Sequence, residues 1–331
     1  MTNRALLLTI LVLACLGSGF AQSDIVYVSY NGLDTHPCTR TSSCQTITHA
    51  LSVVNAGGQV NIIGSGTYDN FTITKSATVA AEPGVIAVLD VTGFANSGIT
   101  INAGANDRVV IRGLYLNGGG PASGTNGIYV RAAGEVSLED VVARNFDSAA
   151  LSVASSVASF ISVKGGVYAI APLSANFQSG IYPVAIFFCC TGQNPEVPPV
   201  ATVDGVTVEN GCTGVNPDGL VVTITNSLLV ASPNSNANCA QQLGGSIGIS
   251  QPGVGTVVIE NNLISNYGFG ISGGDDLSAN FYLSGNTIVG NAVGVNNSGF
   301  FGPANVFTRA NNTIAGNGQN VTGTITAFNG Q

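Results

Sequence analysis

One twelve-residue frame recurs along the chain, and it limits the possible fold more than any other feature. GTVVIENNLISN (255–266) has partners in LVVTITNSLLVA (220–231), NFYLSGNTIVGN (280–291) and VFTRANNTIAGN (306–317). Weaker copies lie upstream: RVVIRGLYLNGG (108–119), EVSLEDVVARNF (135–146), SFISVKGGVYAI (159–170) and PVATVDGVTVEN (199–210). Each copy is an apolar strand, a small or Asn pair, then a second short apolar strand. Several are followed by a Gly-Ile or Gly-Val step, as in NGIYV (126–130), SIGIS (246–250), FGISG (269–273) and VGVNN (293–297). Copies are spaced about 21 to 40 residues apart, and the longer gaps hold inserts rich in Pro, Gly, Ser and Cys. Self-similarity at such a period marks a solenoid with loops inserted on some turns.

The physics of one unit sets the architecture. Its strands alternate apolar and polar residues, so one face is buried. A unit of ~24 residues cannot bury that face alone and must stack on copies of itself. Gly or Asn at the bend supplies a left-handed backbone that other residues resist. In the repeat alignment the bend residues are Asn226, Asn261 and Asn262, Asn286, then Asn311 and Asn312. Stacked about 4.8 Å apart, their amides are expected to bond from coil to coil. A sandwich would instead show strands every 8–12 residues joined by hairpin turns. The expected fold is all-β: a single-stranded right-handed parallel β-helix.

The N-terminus reads as a leader. MTNR is basic, ALLLTILVLACLG is a short apolar run, and GFA precedes Gln22, the order of a secretory signal peptide over residues 1–21. VLAC (12–15) offers the alternative of lipid anchoring through Cys15. No later stretch is long and apolar enough to be a membrane span. The expected protein is therefore exported (secreted, periplasmic or extracellular) and monomeric. The chain has 44 Gly, no Trp, 45% hydrophobic and only 8% charged residues, a balance opposite to that of disorder. Its net charge of −8 disfavours nucleic acid as a partner. Beyond the leader lie Cys38, Cys44, Cys189, Cys190, Cys212 and Cys239, an even set that favours disulfides in an exported chain. Cys38 and Cys44 are expected to close a small loop, while the pairing of the other four stays open.

The chain resembles the pectin lyase-like β-helix superfamily. The resemblance reaches YVSYNGLDTHPCTRTSSCQTITHALSVVNAGGQVNIIGSGTYDNFTI (27–73), which looks like an entry module of that superfamily. There a strand and a Cys-closed loop lead into a short helix, and a "GG-x-V" strand opens the first coil. The residues agree: Ile47, Ala50, Leu51 and Val54 form a helical apolar stripe over Thr46–Val54. Such a helix covers the open end of a solenoid. The expected organisation is leader 1–21, entry module 22–75 and β-helix 76–331.

Polygalacturonases of this superfamily carry a Gly-Asp-Asp motif, which Gly274-Asp275-Asp276 matches. They hydrolyse a glycosidic bond with carboxylates, one giving a proton while another activates water. Their set also includes an Asn-Thr-Asp one coil upstream and a Gly-His-Gly one coil downstream. Here those places read PGVGTVVIENN and NAVGVNNSG, without Asp or His. From residue 165 onward Arg309 is the one basic residue, against Glu196, Asp204, Glu209, Asp218, Glu260, Asp275 and Asp276. A polyuronate is repelled from such a surface unless calcium bridges the two. Asp275 and Asp276 thus stand as a turn between strands, with a Ca2+ or sugar contact and a catalytic dyad as the alternatives.

The frame also aligns Arg112, Glu139, Lys164 and Asp204, each just after an inward apolar residue, in successive coils with alternating sign. Two readings follow: lateral charge pairing between neighbouring strands, or a strip contacting polysaccharide, with Arg112 and Lys164 on acidic groups and Glu139 and Asp204 on hydroxyls or calcium. Tyr115, Tyr129 and Tyr168 are either packing or sugar platforms. His36 falls in the Cys-closed loop and His49 on the helix, without metal partners at ligand spacing. The resulting expectation is a carbohydrate-interacting protein without a recognisable catalytic set. The alternatives are a divergent polysaccharide lyase or glycoside hydrolase acting on acidic polysaccharide, and a purely structural surface protein.

Overall fold

The computed structural model describes residues 23–91, 97–119, 126–157, 159–171, 183–189, 200–232, 239, 245–251, 253–273, 279–298 and 303–328. The chain winds into three parallel sheets of twelve, ten and ten strands. Sheet I runs from Ser23–Val28 through Val54–Ile62 and Arg108–Arg112 to Asn305–Thr308 and Thr326–Ala327. Sheet II begins at Gly66–Tyr68 and ends at Thr313–Ala315; sheet III begins at Phe71–Ile73 and ends at Gln319–Gly323. From Val54 onward each coil visits sheets I, II and III in that order, the single-stranded right-handed winding expected from the repeat.

The register of sheet I explains the core. Val79, Ile111, Leu138, Val163, Val203 and Ile224 stand side by side across successive strands. All six are 0% exposed, so one apolar position per copy builds a continuous stack. At ~25 cal/mol per Å2 of apolar surface, such stacking is what a lone repeat lacks.

The corner between sheets I and II is tight, and its first residue takes a left-handed backbone. Asp140, Asn226 and Asn261 have φ of 51°, 51° and 58° there, Gly285 has 64°, and in the last coil the second corner residue, Ala310, has 58°. The following residue points inward. Asn262 and Asn286 are 2% and 1% exposed, and a ladder runs through them. Ser227 N–H donates to Asn262 Oδ1 at 2.9 Å, Asn262 N–H to Asn286 Oδ1 at 3.0 Å, and Asn286 N–H to Asn312 Oδ1 at 2.8 Å. Asn261, placed beside Asn286 by the repeat alignment, is instead the exposed left-handed residue. The physical reason is register. Glu260 pairs with Ser284, an offset of 24, whereas aligning Asn261 with Asn286 assumes 25. A second ladder occupies the corner between sheets II and III. Tyr267 N–H donates to Asn291 Oδ1 at 3.0 Å, and Asn291 N–H to Asn317 Oδ1 at 2.9 Å.

The helix α1 (Ile47–Val53) closes the entry end. Thr46 caps it by accepting from His49 N–H, and Ile47, Ala50 and Leu51 are its buried residues. Asp34 anchors the cap, accepting from the Gln45 and Thr46 amides at 2.9 Å each and from Thr46 Oγ1 at 2.7 Å. Disulfides join Cys38 to Cys44 and Cys212 to Cys239. Cys189 directly follows the sheet III strand Val184–Phe188, and Cys190 lies outside the described residues. Arg40 grips Glu82 with two bonds of 2.6 and 2.9 Å, tying the Cys-closed loop to the coils.

Candidate functional site

The outward face of sheet I carries the charged row. Arg112 pairs with Glu139, Glu139 with Lys164, and Lys164 with Asp204 across adjacent strands. The row continues through Thr225 to Glu260 and Ser284. Arg112 Nε donates to Glu139 Oε2 at 2.7 Å. That bond first, and weaker attractions after it, hold the Glu139 carboxyl below the usual carboxylate range against its partial burial. Asp204 accepts from Asn226 Nδ2 and Thr225 Oγ1, both at 2.8 Å, and these bonds lower its pKa as well. Four residues earlier on the same two strands, Arg108 Nε meets Glu135 at 2.8 Å. Glu139 and Asp204 are held ionised by their neighbours, the state suited to lateral charge pairing and unsuited to giving protons.

The aromatic candidates separate. Tyr168 is wholly buried, and burial pushes its phenol pKa up; it belongs to the core. Tyr115 and Tyr129 are half-buried on sheets II and III, with the Arg131 guanidinium 5.9 Å from the Tyr129 ring centroid. Asp275 and Asp276 lie outside the described residues.

A different cluster closes the far end of sheet I. Tyr282 and Phe307 are direct cross-strand partners. Their rings stack 5.1 Å apart at 19°. Phe328 stands edge-on to both, at 5.7 and 6.3 Å. Arg309 places its guanidinium 5.7 Å from the Phe328 centroid. A shallow cavity of about 190 Å3 here is lined by Val258, Glu260, Tyr282, Ser284, Arg309 and Phe328. Two half-buried rings, Tyr282 and Phe328, with one cation and one carboxylate thus line a space on the outside of the coil, and half-buried Phe307 stacks on Tyr282. An outward aromatic group beside a small cavity with a cation and a carboxylate on its rim is a candidate ligand contact.

Sequence reasoning missed this group for a structural reason. Aligning the last two copies on their asparagines sets Phe281 opposite Phe307, which would send Phe307 inward with the buried Phe281. In the structure Phe281 pairs with Val306, because one extra residue is absorbed between Thr308 and the Asn312 corner. Ala310 takes a left-handed backbone there. Phe307 therefore faces out beside Tyr282.

No protein-family model matches the sequence, and no curated protein matches it. Solved structures do. The complex of XylC with xylose superposes with a TM-score of 0.59 at 9% identity, over 92% of this chain and 70% of that one. The pectate lyase Pel9A gives 0.49 at 16% identity, over 92% and 78% of the two chains. A rhamnogalacturonan lyase gives 0.43 at 14% identity, over 86% and 75%. At these identities the likeness concerns architecture. The chain is a right-handed parallel β-helix.

Proposed function

We infer that the protein is an exported carbohydrate-binding β-helix whose ligand seats on the Tyr282–Phe307–Phe328 cluster, and that it binds sugar without cleaving it. The observation that carries this reading is the stacked, outward aromatic pair beside Arg309 and Glu260. A sugar ring presents one apolar C–H face, which packs on an aromatic ring, and a rim of hydroxyls. Arg309 supplies donors and Glu260 acceptors for that rim, while Ser284 serves as either. The XylC complex with xylose supports the same fold as a frame for sugars.

The charge balance favours neutral over acidic glycans. Glu260 lines the cavity itself, and Arg309 is the one base beyond residue 164 against seven acids. A polyuronate meets net repulsion unless a divalent cation intervenes. Calcium at Asp275 and Asp276 would change that preference.

The test is a glycan screen with neutral and acidic oligosaccharides, run with and without calcium, beside assays for new reducing ends and unsaturated products. Binding of neutral glycans, independent of calcium and without product, is expected. Product formation lost in an Asp275→Asn/Asp276→Asn variant would establish a divergent hydrolase or lyase instead. Silence across the screen would favour a structural surface protein.

A further inference from the structure

The entry end holds a second site of different chemistry. A cavity of about 590 Å3 opens between the start of the first strand, the loop 34–39 and α1. The chain has two histidines, and both line this cavity. Beside it, Cys38 Sγ, Cys44 Sγ and a ring nitrogen of His49 all lie within 4.8 Å of one another. Cys38 and Cys44 are 2% and 0% exposed, and half-buried His49 faces the cavity. The fold thus converges two sulfurs from a loop and one imidazole from a helix.

A tetrahedral ion bound at 2.0–2.3 Å holds neighbouring donors roughly 3.3–3.8 Å apart. The imidazole nitrogen lies no farther from either sulfur than about an ångström beyond that spacing, whereas the two sulfurs are bonded to each other and must part to reach it, so the intact bond is what keeps them from ligating. We propose that Cys38, Cys44 and His49 form a redox-gated site for a thiolate-preferring divalent metal such as zinc. Oxidised, the disulfide staples the entry loop. A dithiol reductant breaks the sulfur–sulfur bond by giving up two electrons and two protons, becoming a disulfide itself. The two thiols then lose their protons to solvent as the ion binds both thiolates, while neutral His49 supplies its lone pair. Three protein ligands leave a fourth position on the side of the cavity, the pattern of an open site rather than a closed structural one. His36 shares the cavity, but its Nδ1 bonds the Ser43 carbonyl at 3.1 Å, and it lies outside the three-donor cluster.

Cobalt(II) titration tests this, because tetrahedral cobalt–thiolate absorbs strongly in the visible. The purified chain is reduced with dithiol, freed of reductant under inert gas, and checked for retained β circular dichroism. One equivalent of cobalt should develop the thiolate spectrum with the reduced protein and none with the oxidised protein. Cys38→Ser should abolish the spectrum, which separates this site from Cys189, Cys190 and the Cys212–Cys239 pair. His49→Ala should weaken binding at least tenfold, and His36→Ala should leave it unchanged. A reduced protein that unfolds, shows no thiolate spectrum, or binds equally well as Cys38→Ser or His49→Ala would overturn the proposal.

Discussion

Replacing Asn286 by Ala tests the ladder that holds the coils in step. Asn286 is 1% exposed and makes four side-chain bonds. Its Oδ1 accepts from Asn262 N–H at 3.0 Å and from Asn262 Nδ2 at 3.1 Å. Its Nδ2 donates to the Ile259 carbonyl at 2.7 Å and to Asn312 Oδ1 at 2.9 Å. Two of the partners keep another bond after truncation. Asn262 Nδ2 still donates to Ile224 O, and Asn312 Oδ1 still accepts from the residue 286 amide. The Asn262 N–H and the Ile259 carbonyl lose their Asn286 bonds in a dry corner. Taking about 1–2 kcal/mol for each of the two groups, the lower part of the range for a buried polar group left unsatisfied, the variant should lose about 2–4 kcal/mol. Asn261→Ala loses only the tolerance of Asn for a left-handed backbone at an exposed corner, about 1 kcal/mol. With about 2 °C per kcal/mol for a chain this long, Asn286→Ala should melt about 4–8 °C lower and Asn261→Ala about 2 °C lower. Scanning calorimetry on both variants checks this. Equal shifts, or a larger one for Asn261→Ala, would refute the assignment of the ladder to the inner corner position.

Three further outcomes are expected. Ala310 pays for a left-handed backbone at φ 58°, so Ala310→Gly should raise the melting temperature, by about 1 kcal/mol in stability. Gly270→Ala should lower it sharply, because a Cβ there would sit 2.6 Å from the Gly294 carbonyl oxygen and 2.9 Å from Ile288 Cγ2; an unshifted melting curve would show that the coils are less closely stacked. Asp107 accepts from Ser76 Oγ, Gly104 N–H and Ser76 N–H, and these bonds, the Ser76 hydroxyl foremost, hold its pKa below the usual value. Its folded pKa is depressed, so its contribution is complete above the unfolded value of about 3.9 and is lost as pH falls through the folded one. Thermal stability should therefore drop below about pH 4, and melting curves of Asp107→Asn should show a shallower acid limb than wild type.

Those features of the fold that repeat were legible in the sequence. The apolar stack of sheet I is visible because strands of near-constant pattern keep the same residue facing inward. The same regularity places Arg112, Glu139, Lys164 and Asp204 in one lateral row. The helix Ile47–Val53 matches the stripe at Ile47, Ala50 and Leu51. What the sequence hid are the places where spacing slips by one residue. An offset of 24 rather than 25 moved the ladder from Asn261 to Asn262. One residue absorbed near Ala310 turned Phe307 outward to meet Tyr282. In a structure with a two-residue side-chain period, a single slip exchanges inside for outside. The second ladder at Asn291 and Asn317 had a visible signal, the Asn that closes both copies. The approach of His49 to Cys38 and Cys44 had none, since a loop and a helix end meet only through the tertiary fold.

The central claim is that a sugar rests on the outward rings at the end of sheet I. Isothermal titration of the best neutral oligosaccharide from the glycan screen, into wild type and Tyr282→Ala, tests it most directly. Tyr282 is half-buried and outward, so its truncation removes its ring contacts with Phe307 and Phe328, roughly 1–3 kcal/mol, and should lower the melting temperature by only a few degrees while the fold is kept. Binding should weaken at least tenfold, about 1.4 kcal/mol, through loss of the ring that the sugar stacks on. An unchanged Kd in Tyr282→Ala, with the fold intact, would contradict the account.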